Sequence, residues 1–140
     1  MATLVKGGCA CGAVRYESSA DPLFAGTCHC RDCQHASGGG SAYAVGVPKN
    51  GLKITGEVRY HEVTAESGNK ISRGFCTNCG SPLFVRPAVM PDAVLVAAGS
   101  LDDSSWYKPG VELFTSSAQP WDHLSPDLPK FPKMPPPQGA

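Results

Sequence analysis

The sequence predicts a mostly β, antiparallel domain with short helical turns. Three observations predict it. Sixteen glycines and thirteen prolines in 140 residues leave little room for long helices. Apolar residues alternate over short windows bounded by turn residues, the period of half-buried strands. No window carries the 3.6-residue repeat of a long amphipathic helix.

Taken in order, GAVRYES places Val14 and Tyr16 on one face of a strand and Arg15 and Glu17 on the other. PLFAGTC leads into a cysteine cluster. SAYAVGV, from Ser41 to Val47, alternates weakly and stops at Pro48, after which Lys49, Asn50 and Gly51 make a turn. LKITGEVRYHEVT reads as two strands meeting at Gly56, and NKISRGF as a strand entering another cluster. VLVAAGS is continuously apolar and so is placed as a central strand. VELFTSS is a late strand with Val111, Leu113 and Thr115 on one face. The two short helical segments are Arg31 to Ser37 and Asp102 to Tyr107. Seven of the last 22 residues are proline. Proline lacks a backbone donor and fixes φ, so an extended tail is expected over 125–140, following a domain over 1–124. The tail can pack across the domain through Trp121, Leu128, Phe131 or Met134.

Twelve basic residues balance twelve acidic ones. A neutral chain argues against binding nucleic acid by backbone neutralisation. The longest apolar run, Ala93 to Ala98, is far too short to span a bilayer. The opening MATLVKGG carries no apolar secretory segment, so the reading is cytoplasmic. In a reducing compartment seven clustered cysteines read as metal ligands or reactive thiols rather than disulfides.

The cysteines fall into three groups: Cys9 and Cys11 in CAC, Cys28, Cys30 and Cys33 in CHCRDC, and Cys76 and Cys79 in CTNC. Zinc takes a tetrahedral shell and binds thiolates well. The CTNCG turn can put two sulfurs on one ion, and CAC can supply two more if its glycine-flanked backbone kinks. Cys9, Cys11, Cys76 and Cys79 then form a closed site, with Cys28, Cys30 and Cys33 around a second ion whose fourth position stays open. A mixed site, joining sulfurs from Cys28 to Cys33 with Cys76 and Cys79, is the alternative partition. Each thiolate weakens zinc as a Lewis acid but keeps bound sulfur nucleophilic, so the three-cysteine site suits holding a thiolate better than activating water.

These segments resemble the family of glutathione-dependent formaldehyde-activating enzymes, which also includes centromere protein V. The resemblance runs from about Val5 to Trp121. It rests on GGCACGAVRYE, FAGTCHCRDCQHASGG, SRGFCTNCGSPLF, AAGSLDD and VELFTSSAQPW. It implies an antiparallel β-tent domain and two zinc ions, a structural one on Cys9, Cys11, Cys76 and Cys79 and a second on Cys28, Cys30 and Cys33. It also implies a carbon–sulfur lyase joining formaldehyde to glutathione as S-(hydroxymethyl)glutathione, or cleaving the adduct. The partners are then a small thiol and a small aldehyde. A zinc-stabilised interaction module and a thiol-adduct carrier are the non-catalytic alternatives.

His35, two residues after Cys33, is the acid–base candidate, since neutral imidazole is available near pH 7. Asp32 can orient a histidine or accept turn amides. Arg31 can offset thiolate charge or recognise a substrate carboxylate, and Arg73 is a second cation for the same task. His29, between two ligands, either supports them from behind or faces solvent. Gly38 to Gly40 lack the pattern of a phosphate loop and read as a linker or a close backbone approach. Tyr43, Trp106 and Trp121 read as packing residues, Glu66 as a pocket-lining candidate, and His61 and His123 as structural or exposed.

Overall fold

The computed structural model describes residues 5–135 of the chain. Its strands are β1 (Val5–Gly8), β2 (Arg15–Ser18), β3 (Phe24–Cys28), β4 (Ala42–Pro48), β5 (Leu52–Thr55), β6 (Val58–Thr64), β7 (Lys70–Cys76), β8 (Pro82–Pro87), β9 (Ala93–Ala97) and β10 (Glu112–Leu113). One helix, α1 (Arg31–Ser37), follows β3. A small sheet has the order β1-β2-β5, and a large one the order β10-β3-β4-β9-β8-β7-β6. Every pairing is antiparallel except that of β10 with β3. The mostly β, antiparallel class read from the sequence is the class found. No helix of the described residues is long and apolar enough to cross a membrane.

The core lies between the sheets. Along β1 and β2 burial alternates residue by residue, as a strand with one wet face requires. Val5, Val14 and Tyr16 point inward and meet Val45, Val47, Leu83, Phe84, Val94 and Val96 of the large sheet. Tyr16 meets Phe84 edge to face at 5.3 Å, a geometry aromatic quadrupoles favour. β9 is the fourth strand of seven, which accounts for its unbroken apolar run. Removing the Phe84 ring from this core would destabilise by about 3–5 kcal/mol.

The sheets are tied together around Gly7. Its neighbours Lys6 and Leu101 hold the strand to the 98–102 turn, with the Asp102 amide on the Lys6 carbonyl at 3.0 Å. Tyr16 meets the Ser100 hydroxyl at 2.6 Å. A Cβ at Gly7 would lie 2.1 Å from the Ser100 carbonyl and 2.6 Å from the Tyr16 hydroxyl. Gly7→Ala should therefore destabilise by about 2 kcal/mol or more, in the range of overpacked cores. Denaturant unfolding measures it, and a midpoint equal to that of the native chain would contradict this packing.

Two expected elements differ. Residues 102–107 form turns rather than a helix. Asp103 accepts from the Ser105 amide at 3.0 Å and Asp102 pairs with Arg15, so these side chains bond locally or to β2 instead of supporting a helix. The late strand is only two residues long and runs parallel to β3. Phe114 adopts φ 54°, turning the chain into a 3-10 turn at Thr115–Ser117. The inward residue of the strand is Glu112, 4% exposed, rather than Val111 or Leu113.

Part of the expected tail pairs with this segment. The Glu112 amide bonds the Pro129 carbonyl at 3.0 Å, the Phe131 amide bonds the Glu112 carbonyl at 3.0 Å, and the Thr115 amide bonds the Phe131 carbonyl at 3.1 Å. Pro129 accepts without needing a donor, so proline is tolerated on this edge. Residues 1–4 and 136–140, the ends of the expected domain and tail, lie outside the described residues.

Candidate metal centre

The first cluster is built from two kinked turns. At CAC the Gly12 amide bonds the Cys9 carbonyl at 3.2 Å, and Gly12 takes φ 82°. This closes the loop back on itself, so the Val14 amide points at the Cys9 sulfur, 3.2 Å away. At CTNC the amides of Asn78 and Cys79 both approach the Cys76 sulfur at 3.4 Å. Gly80, at φ 77°, returns its amide to the Cys76 carbonyl at 2.9 Å. Both glycines sit in the left-handed region that L side chains avoid. Ser81 joins the turns, accepting from the Ala10 amide and meeting the Cys79 sulfur, each at 3.1 Å.

The sulfurs of Cys9, Cys11, Cys76 and Cys79 all lie within 4.8 Å of one another. Cys9 and Cys11 approach to 3.5 Å, and Cys11 and Cys76 to 3.8 Å. A tetrahedral zinc with bonds of about 2.3 Å sets its sulfurs about 3.8 Å apart. The donors favour a thiolate at Cys9 and Cys79, whereas at Cys76 the amides of Cys79 and Asn78 are outweighed by burial and the neighbouring Cys9 and Cys79 thiols, which push that thiol up. The amide of Val14 holds the Cys9 thiol below its ordinary range, and the Ser81 hydroxyl, with the amides of Ser81 and Cys11, lowers Cys79 to about 5. The four residues fit a closed metal site.

The second cluster gathers Cys28, Cys30 and Cys33, whose sulfurs also lie within 4.8 Å of one another. Cys28 ends β3, Cys30 caps α1, and Cys33 lies in the first helical turn. The Cys33 amide donates to the Cys30 sulfur at 3.4 Å, as an N-cap oxygen would accept. Gly38, at φ 74°, closes the helix with its amide on the Gln34 carbonyl at 2.8 Å. The sulfurs share protons unequally. The Cys28 and Cys33 thiols, then the Cys33 amide and the Arg73 charge, hold Cys30 far below the usual thiol range, while Cys30, Cys33 and burial push Cys28 up. Arg73 of β7 places Nη2 3.4 Å from the Cys33 sulfur, and no carboxylate pairs with it among the described residues. The two clusters use separate sulfurs, so the mixed partition is not the one the fold adopts.

Arg31 and His35 stand one turn apart on α1, with Arg31 Nη2 3.5 Å from His35 Nε2. They line an open cavity of about 230 Å³ with Gln34, Gly38, Gly39 and Trp121. No hydrogen bond joins Asp32 to His35 or His29 among the described residues. Trp121 is 63% exposed and Tyr43 51% exposed, so neither is the core residue expected. His61 and His123 are exposed. Glu66 pairs with Lys133 instead of lining the cavity.

The sequence reading missed four polar residues near this cluster. Gln34 is 5% exposed and its side chain donates to the carbonyls of His29 and Ser117 at 2.7 and 3.0 Å. Gln119 in turn donates to Gln34 at 3.0 Å. Glu112 and Asp122 bond the His29 ring, which is buried rather than solvent-facing. A polar residue between apolar neighbours, as in VELF, is the only signal the sequence offers for Glu112.

The family model described as glutathione-dependent formaldehyde-activating enzyme matches residues 4–117. The chain belongs to this family. A Halomonas elongata protein named "Putative glutathione-dependent formaldehyde-activating enzyme" is 32% identical over 105 residues. That match covers 71% of this chain and 66% of the Halomonas protein, so the chain spans a little under two thirds of its relative. A crystal structure of a Rhodobacter sphaeroides protein superposes with a TM-score of 0.56 at 23% identity, over 69% of this chain and 87% of that one. This likeness speaks to the fold of the formaldehyde-activating family member described here. The matched span holds all seven cysteines, as well as Arg31, Asp32, His35, Arg73 and Glu112. Asp122 falls beyond it.

Proposed function

We propose that this chain is a zinc-dependent, carbon–sulfur lyase-like enzyme of the cytoplasm, forming or cleaving thiol–aldehyde adducts such as S-(hydroxymethyl)glutathione. The observation that carries the reading is the unequal division of the sulfurs. Four converge on one site, and three converge beside an arginine that no carboxylate neutralises among the described residues. In this reading each cluster takes one zinc ion. Zinc on Cys28, Cys30 and Cys33 would supply an open position at which an external thiol loses its proton.

The chain's own residues do the rest. Arg73, with one nitrogen on Cys33, offsets the negative charge of the sulfurs. Arg31 offers its guanidinium in the cavity beside α1 to a carboxylate of the thiol substrate, of which glutathione has two. As the substrate sulfur forms its bond to the aldehyde carbon, the carbonyl π pair moves to oxygen. His35, protonated by the proton the thiol releases, passes that proton to the oxygen and returns to neutral imidazole. In reverse, His35 takes the hydroxyl proton as the carbon–sulfur bond breaks. Asp32, on the same helix, is assigned no step, because it neither lines the cavity nor bonds His35.

The test is a screen of metal-replete protein with glutathione and other small thiols against formaldehyde, following adduct formation above the uncatalysed rate. His35→Gln should lower kcat about 10²-fold or more, the usual contribution of a positioned acid–base group, while leaving thiol binding nearly intact. A native protein that takes up metal at both clusters yet never exceeds the uncatalysed rate would leave the carrier or interaction-module alternatives in its place.

A further inference from the structure

His29 is flanked by two of the three sulfurs and is 1% exposed. Each of its ring nitrogens faces a carboxylate from the other end of the chain. Nδ1 lies 3.0 Å from Asp122 Oδ2, and Nε2 lies 3.1 Å from Glu112 Oε1. Its backbone is held as well, with the amide on the Leu113 carbonyl at 2.9 Å and the carbonyl receiving Gln34 at 2.7 Å. Every polar atom of the residue between Cys28 and Cys30 is therefore fixed.

The two carboxylates are themselves held. Glu112 is 4% exposed, its backbone is paired on both sides, with Thr27 of β3 and with the 129–131 segment, and Lys130 Nζ stands 3.6 Å from its second oxygen. Asp122 is seated against Gly40, where a Cβ would come within 2.7 Å of the Asp122 carboxyl carbon. Burying two carboxylates on one imidazole is expensive unless the geometry is well satisfied. Apolar packing would anchor a loop with less desolvation.

We propose that Glu112 and Asp122 are positioning residues for the Cys28, Cys30 and Cys33 set, acting through His29. The segment from Glu112 to Lys130 thereby sets how tightly, and in what geometry, that set holds its metal. Neither Cys28 nor Cys30 can move without moving His29, whose backbone is held by the Leu113 carbonyl and Gln34 and whose ring is clasped by the two carboxylates. The proposal rests on the reading of the three-cysteine set as a metal site.

The experiment loads the full chain with cobalt, whose visible bands report ligand geometry, and titrates each variant against a chromogenic chelator. Asp122→Ala should release the weaker-bound equivalent about tenfold more readily and shift its cobalt bands, with the four-cysteine equivalent unchanged. Asp122→Asn, which still offers His29 an oxygen, should recover most of the affinity. Should Asp122→Ala fold poorly, Gly40→Ala displaces the same carboxylate while keeping every ligand, and should change the same bands. A lower melting temperature with wild-type cobalt bands and wild-type affinity would overturn the clasp and leave the metal reading intact. A native chain that binds a single equivalent, unaltered by Cys30→Ser, would overturn the metal reading and the clasp together.

Discussion

Cys76→Ser is expected to unfold the domain at temperatures where the native chain remains folded. Cys76 is 1% exposed and sits in the turn that closes β7, with two backbone amides aimed at its sulfur. Its cluster joins the CAC turn next to β1 to the end of β7, linking parts of the chain 65 residues apart. Structural zinc contributes on the order of 10 kcal/mol or more to folding in small domains. Three ligands would remain, so the loss should be part of that sum, yet still a large fraction of the 5–15 kcal/mol typical of whole domains. Thermal unfolding of the metal-replete protein measures it, and a strong chelator should reproduce the effect on the native chain. A Cys30→Ser protein that melts far below Cys76→Ser would reverse the structural and reactive assignments.

Cys30→Ser is expected to reduce adduct formation to the uncatalysed rate while the fold persists. Cys30 has the sulfur most strongly held as thiolate in its cluster, and it also caps α1. Serine can keep the cap, because its hydroxyl accepts from the Cys33 amide as readily as sulfur does. It is a poor zinc ligand at neutral pH, because its hydroxyl holds its proton far more tightly than a thiol. The helix should therefore survive the change that empties the metal position. Circular dichroism and the melting temperature follow the first consequence, and the rate of thiol–formaldehyde condensation follows the second. Full turnover by Cys30→Ser would remove the three-cysteine cluster from the chemistry.

The sequence carried the local part of this account well. α1 was placed at Arg31 to Ser37, and the structure sets its ends with Cys30 as N-cap and Gly38 as a left-handed stop. The partition of seven sulfurs into four and three was legible because CAC and CTNC each bring two sulfurs to one turn. What could not be read is set by contacts between distant segments. Glu112 reads as an outward residue of an alternating strand, and it points inward because His29 and Lys130 receive its carboxylate. The helix expected over 102–107 fails because Asp102 has a better partner in Arg15, 87 residues away in sequence. Trp121 looks like core, and it is exposed at the cavity because the chain around Asp122 is anchored to His29 instead. Such pairings have no spacing rule.

The most direct measurement is a cobalt titration of the reduced, metal-free chain, followed by addition of glutathione. Two equivalents are expected. One should show bands of a four-thiolate site that glutathione leaves unchanged. The other should gain a fourth sulfur–cobalt transition on adding glutathione, more readily as pH rises, because the incoming thiol must lose its proton. A single equivalent that never increases, or two equivalents whose bands both ignore glutathione, would contradict it.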